Sequence, residues 1–125
     1  VSGRNSFDGL VLAAGFGARL GGRPKAFLPI GGATALDRAV TALAALGARR
    51  VLVVHNARWA GSFDRWARER AQDGLELLND GATCDQDRLG AAGDLRLGLA
   101  ALAHDVVAVP VDNVWTWPMQ LMADR

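Results

Sequence analysis

L-V-L-A-A-G-F-G-A-R-L-G-G-R-P-K-A-F-L-P-I-G-G, Leu10 to Gly32, is the stretch on which the reading of the whole chain turns. Leu10 to Ala14 is a short apolar run preceded by Asp8-Gly9, and it reads as a buried strand. Gly15, Gly17, Gly21 and Gly22 follow at once, with Arg19, Arg23 and Lys25 among them and no carboxylate between Gly9 and Leu36. Open α/β sheets bind phosphates where a strand opens into such a loop. Glycines let backbone N–H groups approach the anion closely, and nearby cations neutralise it. The competing reading is a tight glycine turn with no ligand, and three cations at a strand end weigh against it.

Two familiar phosphate loops can be set against this stretch. A Walker loop needs Gly-Lys followed by Ser or Thr, whereas Lys25 follows Pro24 and precedes Ala26. A dinucleotide fingerprint begins well, because Gly15-Phe16-Gly17 follows a strand. It then requires a helix of several turns and an acidic residue roughly 20 positions on. Gly21, Gly22 and Pro24 stop a helix almost at once, and Phe27 to Gly32 is apolar and then glycyl. An NAD(P)-binding oxidoreductase domain is therefore the runner-up.

The ordered elements Leu12-Ala13-Ala14-Gly15, Arg19-Leu20-Gly21, Pro24-Lys25 and Phe27-Leu28-Pro29-Ile30-Gly31-Gly32 carry a more specific match. They resemble the signature of the MobA-like NTP transferases and the wider nucleotidyltransferase superfamily, which includes molybdenum cofactor guanylyl- and cytidylyltransferases and sugar-phosphate nucleotidyltransferases. The short gap from Arg19 to Lys25 is more similar to the MobA and cytidylyltransferase branches than to the longer sugar-phosphate loop.

The whole chain sets wide bounds. Its 125 residues make one domain by size, and half hydrophobic with 22% charged residues is an ordinary globular composition. A net charge of +1 leaves no electrostatic footprint for nucleic acid, and Arg49-Arg50 is the longest basic run. Cys84 is the only cysteine, which excludes an internal disulfide and a cysteine-built zinc site. There is no membrane-spanning apolar run and no signal-peptide core, so a cytoplasmic enzyme is expected.

Along the chain, Thr34 caps a helix with Leu36, Val40, Leu43 and Leu46 on one face and Gly47 as its stop. Val51 to Val54 reads as a strand covered on both faces, ending in His55-Asn56-Ala57-Arg58. A second helix is predicted over 62–72, a strand over 75–78 closed by Asn79-Asp80-Gly81, a third helix over 93–103, and a strand over 106–109 before Pro110-Val111-Asp112. Such alternation means right-handed crossovers and a mostly parallel sheet. Ligands then sit beyond the carboxyl ends of the strands, at Gly15 to Lys25, His55 to Arg58, Asn79-Asp80 and Asp112. Asn56, Asn79 and Asp80 also suit plain turns. Asp112 offers the oxygen that Mg²⁺ prefers.

The resemblance implies more about these positions. It implies a Rossmann-like three-layer α/β/α fold of the nucleotide-diphospho-sugar transferase type, and nucleotide binding by Leu12, Ala13, Ala14, Gly15, Gly17, Lys25, Asn56, Asp80 and Gly93. It implies Arg19 and Lys25 as catalytic cations and Asp112 as ligand of Mg²⁺. The reaction would be attack by a phosphorylated small-molecule acceptor, a molybdopterin or sugar-1-phosphate, on the α-phosphorus of an NTP, releasing pyrophosphate. An acceptor phosphate is already ionised near neutral pH, so no general base is needed. Family members run well beyond this length. The chain is accordingly read as a single nucleotide-binding domain, 1–125, incomplete at its C-terminus, which binds NTP but transfers it poorly. Trp115, Trp117, Leu121 and Met122 would be open to a partner or to a second copy in a homo-oligomer. A non-catalytic nucleotide-binding or interaction module is the third reading, suggested by the short length.

Overall fold

The computed structural model describes residues 7–15, 25–27, 29–84, 89–102 and 105–111. Among them run β1 (Asp8–Leu12), a 3₁₀ turn (Lys25–Phe27), β2 (Pro29–Ile30), β3 (Ala33–Thr34), α1 (Ala35–Ala45) and β4 (Val51–His55). α2 (Ala60–Arg70), β5 (Leu75–Asn79), α3 (Gly90–Ala100) and β6 (Val106–Pro110) follow. The main sheet has the order β5-β4-β1-β6, with every pairing parallel. After β1 the chain steps outward through β4 to β5, then returns to place β6 on the other side of β1. The order thus reverses at β1, which is where open α/β sheets form their ligand crevice.

Period-two alternation decides which layer each strand residue feeds. Val11, Val51 and Val53 pack with Leu36, Val40 and Leu43 of α1 and Phe63 and Trp66 of α2. Leu10, Leu52 and Val54 face the opposite way, toward Leu95 and Leu97 of α3. All five residues of β4 are buried, as its unbroken apolar run requires. The result is the expected Rossmann-like three-layer α/β/α sandwich with a mostly parallel sheet.

α1 starts where the sequence puts it. Asp37 N–H donates to Thr34 Oγ1 at 3.0 Å and Thr34 N–H to Asp37 Oδ2 at 3.3 Å, a reciprocal capping box. The same carboxylate accepts the Trp66 indole N–H at 2.8 Å and the Arg70 guanidinium at 3.0 Å, which pins α2 against α1. Burial pushes the Asp37 carboxyl up, but hydrogen bonds from Trp66 and Thr34 and the charge of Arg70 outweigh it and hold it below its ordinary value.

Boundaries shift where glycine blurs the pattern. β1 begins at Asp8 and stops at Leu12; α2 covers 60–70 instead of 62–72, and α3 covers 90–100 instead of 93–103. Pro29 to Thr34, read as a plain apolar-glycyl stretch, forms a two-residue hairpin, pairing Pro29 with Thr34 and Ile30 with Ala33. Gly31 and Gly32 have φ of 62° and 90°, and a type I′ turn needs positive φ at both central positions.

α3 approaches the sheet closely because it carries glycine at the crossing. A Cβ at Gly98 would lie 2.5 Å from Cδ1 of the fully buried Leu10, and 3.2 Å from its Cγ. Gly98→Val should therefore destabilise the fold by about 2 kcal/mol, since overpacking costs about 1–3 kcal/mol and the gain in helix propensity is only roughly 0.3 kcal/mol. Urea denaturation checks this; unchanged stability would mean that α3 slides freely on β1.

Candidate functional site

The carboxyl ends of the strands are knitted together beyond the sheet itself. Ala13 N–H donates to Val54 O at 2.8 Å, and Val111 N–H to Leu12 O at 3.1 Å. The chain leaving β1 thus stays between β4 and β6 until the glycine loop begins. Asn56, the residue after β4, is fully buried. Its Nδ2 donates to Ala14 O at 3.0 Å and to Gly15 O at 3.4 Å, and its Oδ1 accepts from Trp59 N–H at 3.1 Å. Both polar ends of the amide are spent on the chain. Asn56 therefore ties the mouth of the loop after β1 to the start of α2, and the turn it makes serves that tie.

Gly15 is not demanded by the fold. Its φ is not in the left-handed region, and a Cβ there would meet nothing within 4 Å among the described residues. Gly93 differs, because a Cβ there would lie 2.8 Å from Leu89 Cβ, so packing at the start of α3 already accounts for it.

Asp80 closes β5. Its N–H donates to His55 O at 2.8 Å, its Oδ1 accepts from Ala82 N–H at 2.9 Å, and Ala57 N–H donates to Ala82 O at 2.8 Å. Asn79 shapes the same turn by accepting from Gly81 N–H at 2.8 Å. His55 is a core histidine: its ring is buried, stacks on Phe63 at 4.8 Å, and lies 2.9 Å from Asn56 O through Nδ1. Asp94, in the second turn of α3, was not singled out by the sequence reading. It is 7% exposed, and its Oδ1 is buried without a hydrogen-bond partner among the described residues. Burial, and after it the Asp80 carboxyl, push it up to about 7. The available signal was a carboxylate on the apolar stripe of α3, one turn before Leu97 and Gly98.

The structure thus brings Leu12, Ala13, Ala14, Gly15, Asn56 and Asp80 to one end of the sheet, with α3 carrying Gly93 beside Asp94. Lys25 opens the 3₁₀ turn whose Ala26 is buried in the core. Gly17, Arg19, Arg23, Asp112, Trp115 and Trp117, together with the side chain of Lys25, lie outside the described residues. Among the described residues, no three His, Cys, Asp or Glu side chains converge to hold a metal, and no helix is long and apolar enough to cross a membrane.

A parallel sheet with its switch point at β1, and a glycine loop leaving that strand, defines an α/β protein of the nucleotide-binding kind. The chain belongs to the MobA-like NTP transferase domain family, whose model matches residues 9–122. Among solved structures it is similar to a nucleotidyl transferase from Methanothermobacter thermautotroptrophicus, with 24% identity and a TM-score of 0.69 over 97% of this chain and 56% of that one. It is also similar to a putative glucose-1-phosphate thymidylyltransferase from Bacillus anthracis, with 20% identity and a TM-score of 0.77 over 94% of this chain and 49% of that one. Rv0371c from Mycobacterium tuberculosis, itself also solved in complex with manganese, shares 28% identity and a TM-score of 0.71 over 98% of this chain and 60% of its own. The chain therefore spans about half the length of these relatives. No curated protein matches it.

Proposed function

We propose that this chain is the nucleotide-binding part of a Mg²⁺-dependent nucleotidyltransferase that moves NMP from an NTP to a phosphorylated small-molecule acceptor. In that reaction an acceptor phosphate oxygen forms a bond to the α-phosphorus. The bond from the α-phosphorus to the bridging oxygen breaks, and pyrophosphate leaves with the electron pair. Catalysis of this kind is positioning and charge neutralisation, with no proton to remove. Leu12 to Gly15 and Gly17 present backbone to the triphosphate, Arg19 favours the departing pyrophosphate and Lys25 the α-phosphate. Asn56 holds the loop, and Asp80 and Gly93 border the nucleoside.

The observation that carries this reading is the buried Asn56 amide on the Ala14 and Gly15 carbonyls. It holds the start of the glycine loop at the switch point, where a Cβ on Gly15 would meet nothing within 4 Å among the described residues. Family membership supports the class of reaction. Asp112 suits the metal by its chemistry, since a carboxylate oxygen is a ligand that Mg²⁺ prefers, and it directly follows Val111, whose N–H donates to Leu12 O at 3.1 Å. Mg²⁺ is commonly held by one or two carboxylates together with substrate phosphates, which supply the remaining oxygens. When bound, the metal would neutralise charge on the phosphates. The manganese complex of Rv0371c supports a divalent cation in this fold.

The test is titration of nucleoside triphosphates with and without Mg²⁺, against NAD(P), followed by pyrophosphate release with sugar-1-phosphates and pterin phosphates as acceptors. Binding of NAD(P) in preference to every NTP would overturn the reading. Asp112→Asn is expected to abolish the Mg²⁺ dependence of NTP binding with little loss of stability, because the amide keeps the shape and loses the charge. Equal Mg²⁺ dependence in both proteins would reduce Asp112 to a turn residue.

A further inference from the structure

The glycine loop has two described ends, and each is fastened to the fold by a different element. Its leading end, Ala14 and Gly15, is bonded by the Asn56 amide after β4. Its trailing end is the 3₁₀ turn Lys25–Phe27, which Ala26 and Phe27 seat on the layer of α1 and α2. Side chains join the two ends. The Phe27 ring lies 4.9 Å from that of Phe63 between centroids. Phe63 in turn stacks on the His55 ring at 4.8 Å with 14° between the planes, and His55 Nδ1 is 2.9 Å from Asn56 O. A carbonyl oxygen only accepts, so Nδ1 carries the hydrogen.

These contacts close into a circuit. Asn56 Oδ1 accepts the Trp59 N–H at the start of α2, Trp59 O accepts the Phe63 N–H at 3.2 Å, and Phe63 returns to His55. Phe63 is fully buried and His55 is 4% exposed, so the circuit lies in packed core, where neighbours hold side chains in place. Stacking and burial alone would be met by phenylalanine at the end of β4, whose other four residues are all apolar. The imidazole adds a donor aimed at the backbone of Asn56.

We propose that His55 is a positioning residue for the triphosphate: bonded to Asn56 on one side and stacked on Phe63 on the other, it sets the Lys25 turn relative to the Gly15 end of the loop. This rests on the reading above that both ends of the loop hold the same triphosphate. Lys25 and the backbone N–H groups act together only when one ligand fits both, and a misplacement of about 1 Å in such a set costs on the order of 10²-fold. His55 acts through Asn56 and Phe63, its own ring being buried.

¹⁵N NMR of the ligand-free chain reads the tie directly: Nδ1 of His55 should carry hydrogen, and a bare Nδ1 overturns the bond to Asn56. CTP and GTP, each with magnesium chloride, are then titrated by chemical shift into wild type, His55→Phe, Lys25→Ala and the double variant. His55→Phe keeps the stack and loses the donor. It should weaken the tighter nucleotide roughly tenfold, a coupling ordinary for residues in one network. In the Lys25→Ala background the same change should cost less than about twofold, because no lysine is left to place. A histidine that only supports the fold would cost the same in both backgrounds, so equal losses overturn the positioning role. No loss in His55→Phe overturns it as well. Phe27→Leu, at the far end of the relay, should show the same dependence on Lys25, and it decides the matter if His55→Phe does not fold. If neither nucleotide binds wild type, or if Lys25→Ala binds as wild type does, the reading of the loop fails, and the role of His55 falls with it even where Nδ1 carries its hydrogen.

Discussion

Lys25→Ala is expected to lower NTP affinity and any turnover by about 10²- to 10³-fold, the scale seen when one preorganised charge-stabilising donor is removed from a site, with the fold unchanged. The reason lies in how Lys25 is carried. It begins the 3₁₀ turn Lys25–Phe27, in which Ala26 is buried and Phe27 packs its ring 4.9 Å from Phe63. Its neighbours therefore anchor the turn to the layer of α1 and α2. A cation on a fixed turn beside a glycine loop contributes through its charge. Lys25→Arg should recover part of the affinity, because the charge returns in a planar fork instead of a point. Calorimetric titration with NTP and Mg²⁺ reads the effect, and thermal denaturation confirms the fold. Unchanged affinity in Lys25→Ala would remove the phosphate assignment from this loop.

Asn56→Asp is expected to cost about 3–5 kcal/mol of stability at neutral pH, the range for an uncompensated buried charge. The substitution is isosteric, so shape is not the cause. It replaces the NH₂ that donates at 3.0 Å to Ala14 O and at 3.4 Å to Gly15 O with an oxygen that both carbonyls repel. Protonation would restore one donor, so the folded pKa of the new carboxyl would be raised above its unfolded value. A group shifted that way binds more protons in the folded state. Relative to wild type, the variant should therefore be least damaged below the unfolded value and lose stability as pH rises to the folded one. Asn56→Ala, which only orphans the Trp59 N–H and the two carbonyls, should cost less, about 1–3 kcal/mol. Urea denaturation of the three proteins at acidic and neutral pH tests the order. Equal stability of Asn56→Asp and wild type at neutral pH would show that the amide does not bear on the loop mouth.

The sequence by itself determined the fold class, the strands and the phosphate loop candidate. The apolar run into Gly15, the covered run Val51 to Val54 and the Thr34 cap are local signals, since strand burial and helix capping depend on residues a few positions apart. The Gly31-Gly32 hairpin was not read from the sequence, although two glycines between short strand pairs are a hairpin signal; the phosphate-loop motif that contains them overshadowed it. The extent of α3 was not legible. The helix starts at Gly90, whose φ of 77° glycine adopts readily, so the start is set by a backbone conformation that the apolar periodicity does not report. Neither was the job of Asn56, which as a turn residue and as a buried tie gives the same local pattern. Its partners are 42 and 41 positions away and come within reach only because β4 lies beside β1. The burial of Asp94 depends on the tertiary structure in the same way, because only the seating of α3 over the sheet takes its carboxyl out of solvent. Propensity and capping act over one turn or one strand, whereas desolvation and long-range hydrogen bonds depend on which surfaces meet, and that is set by the strand order.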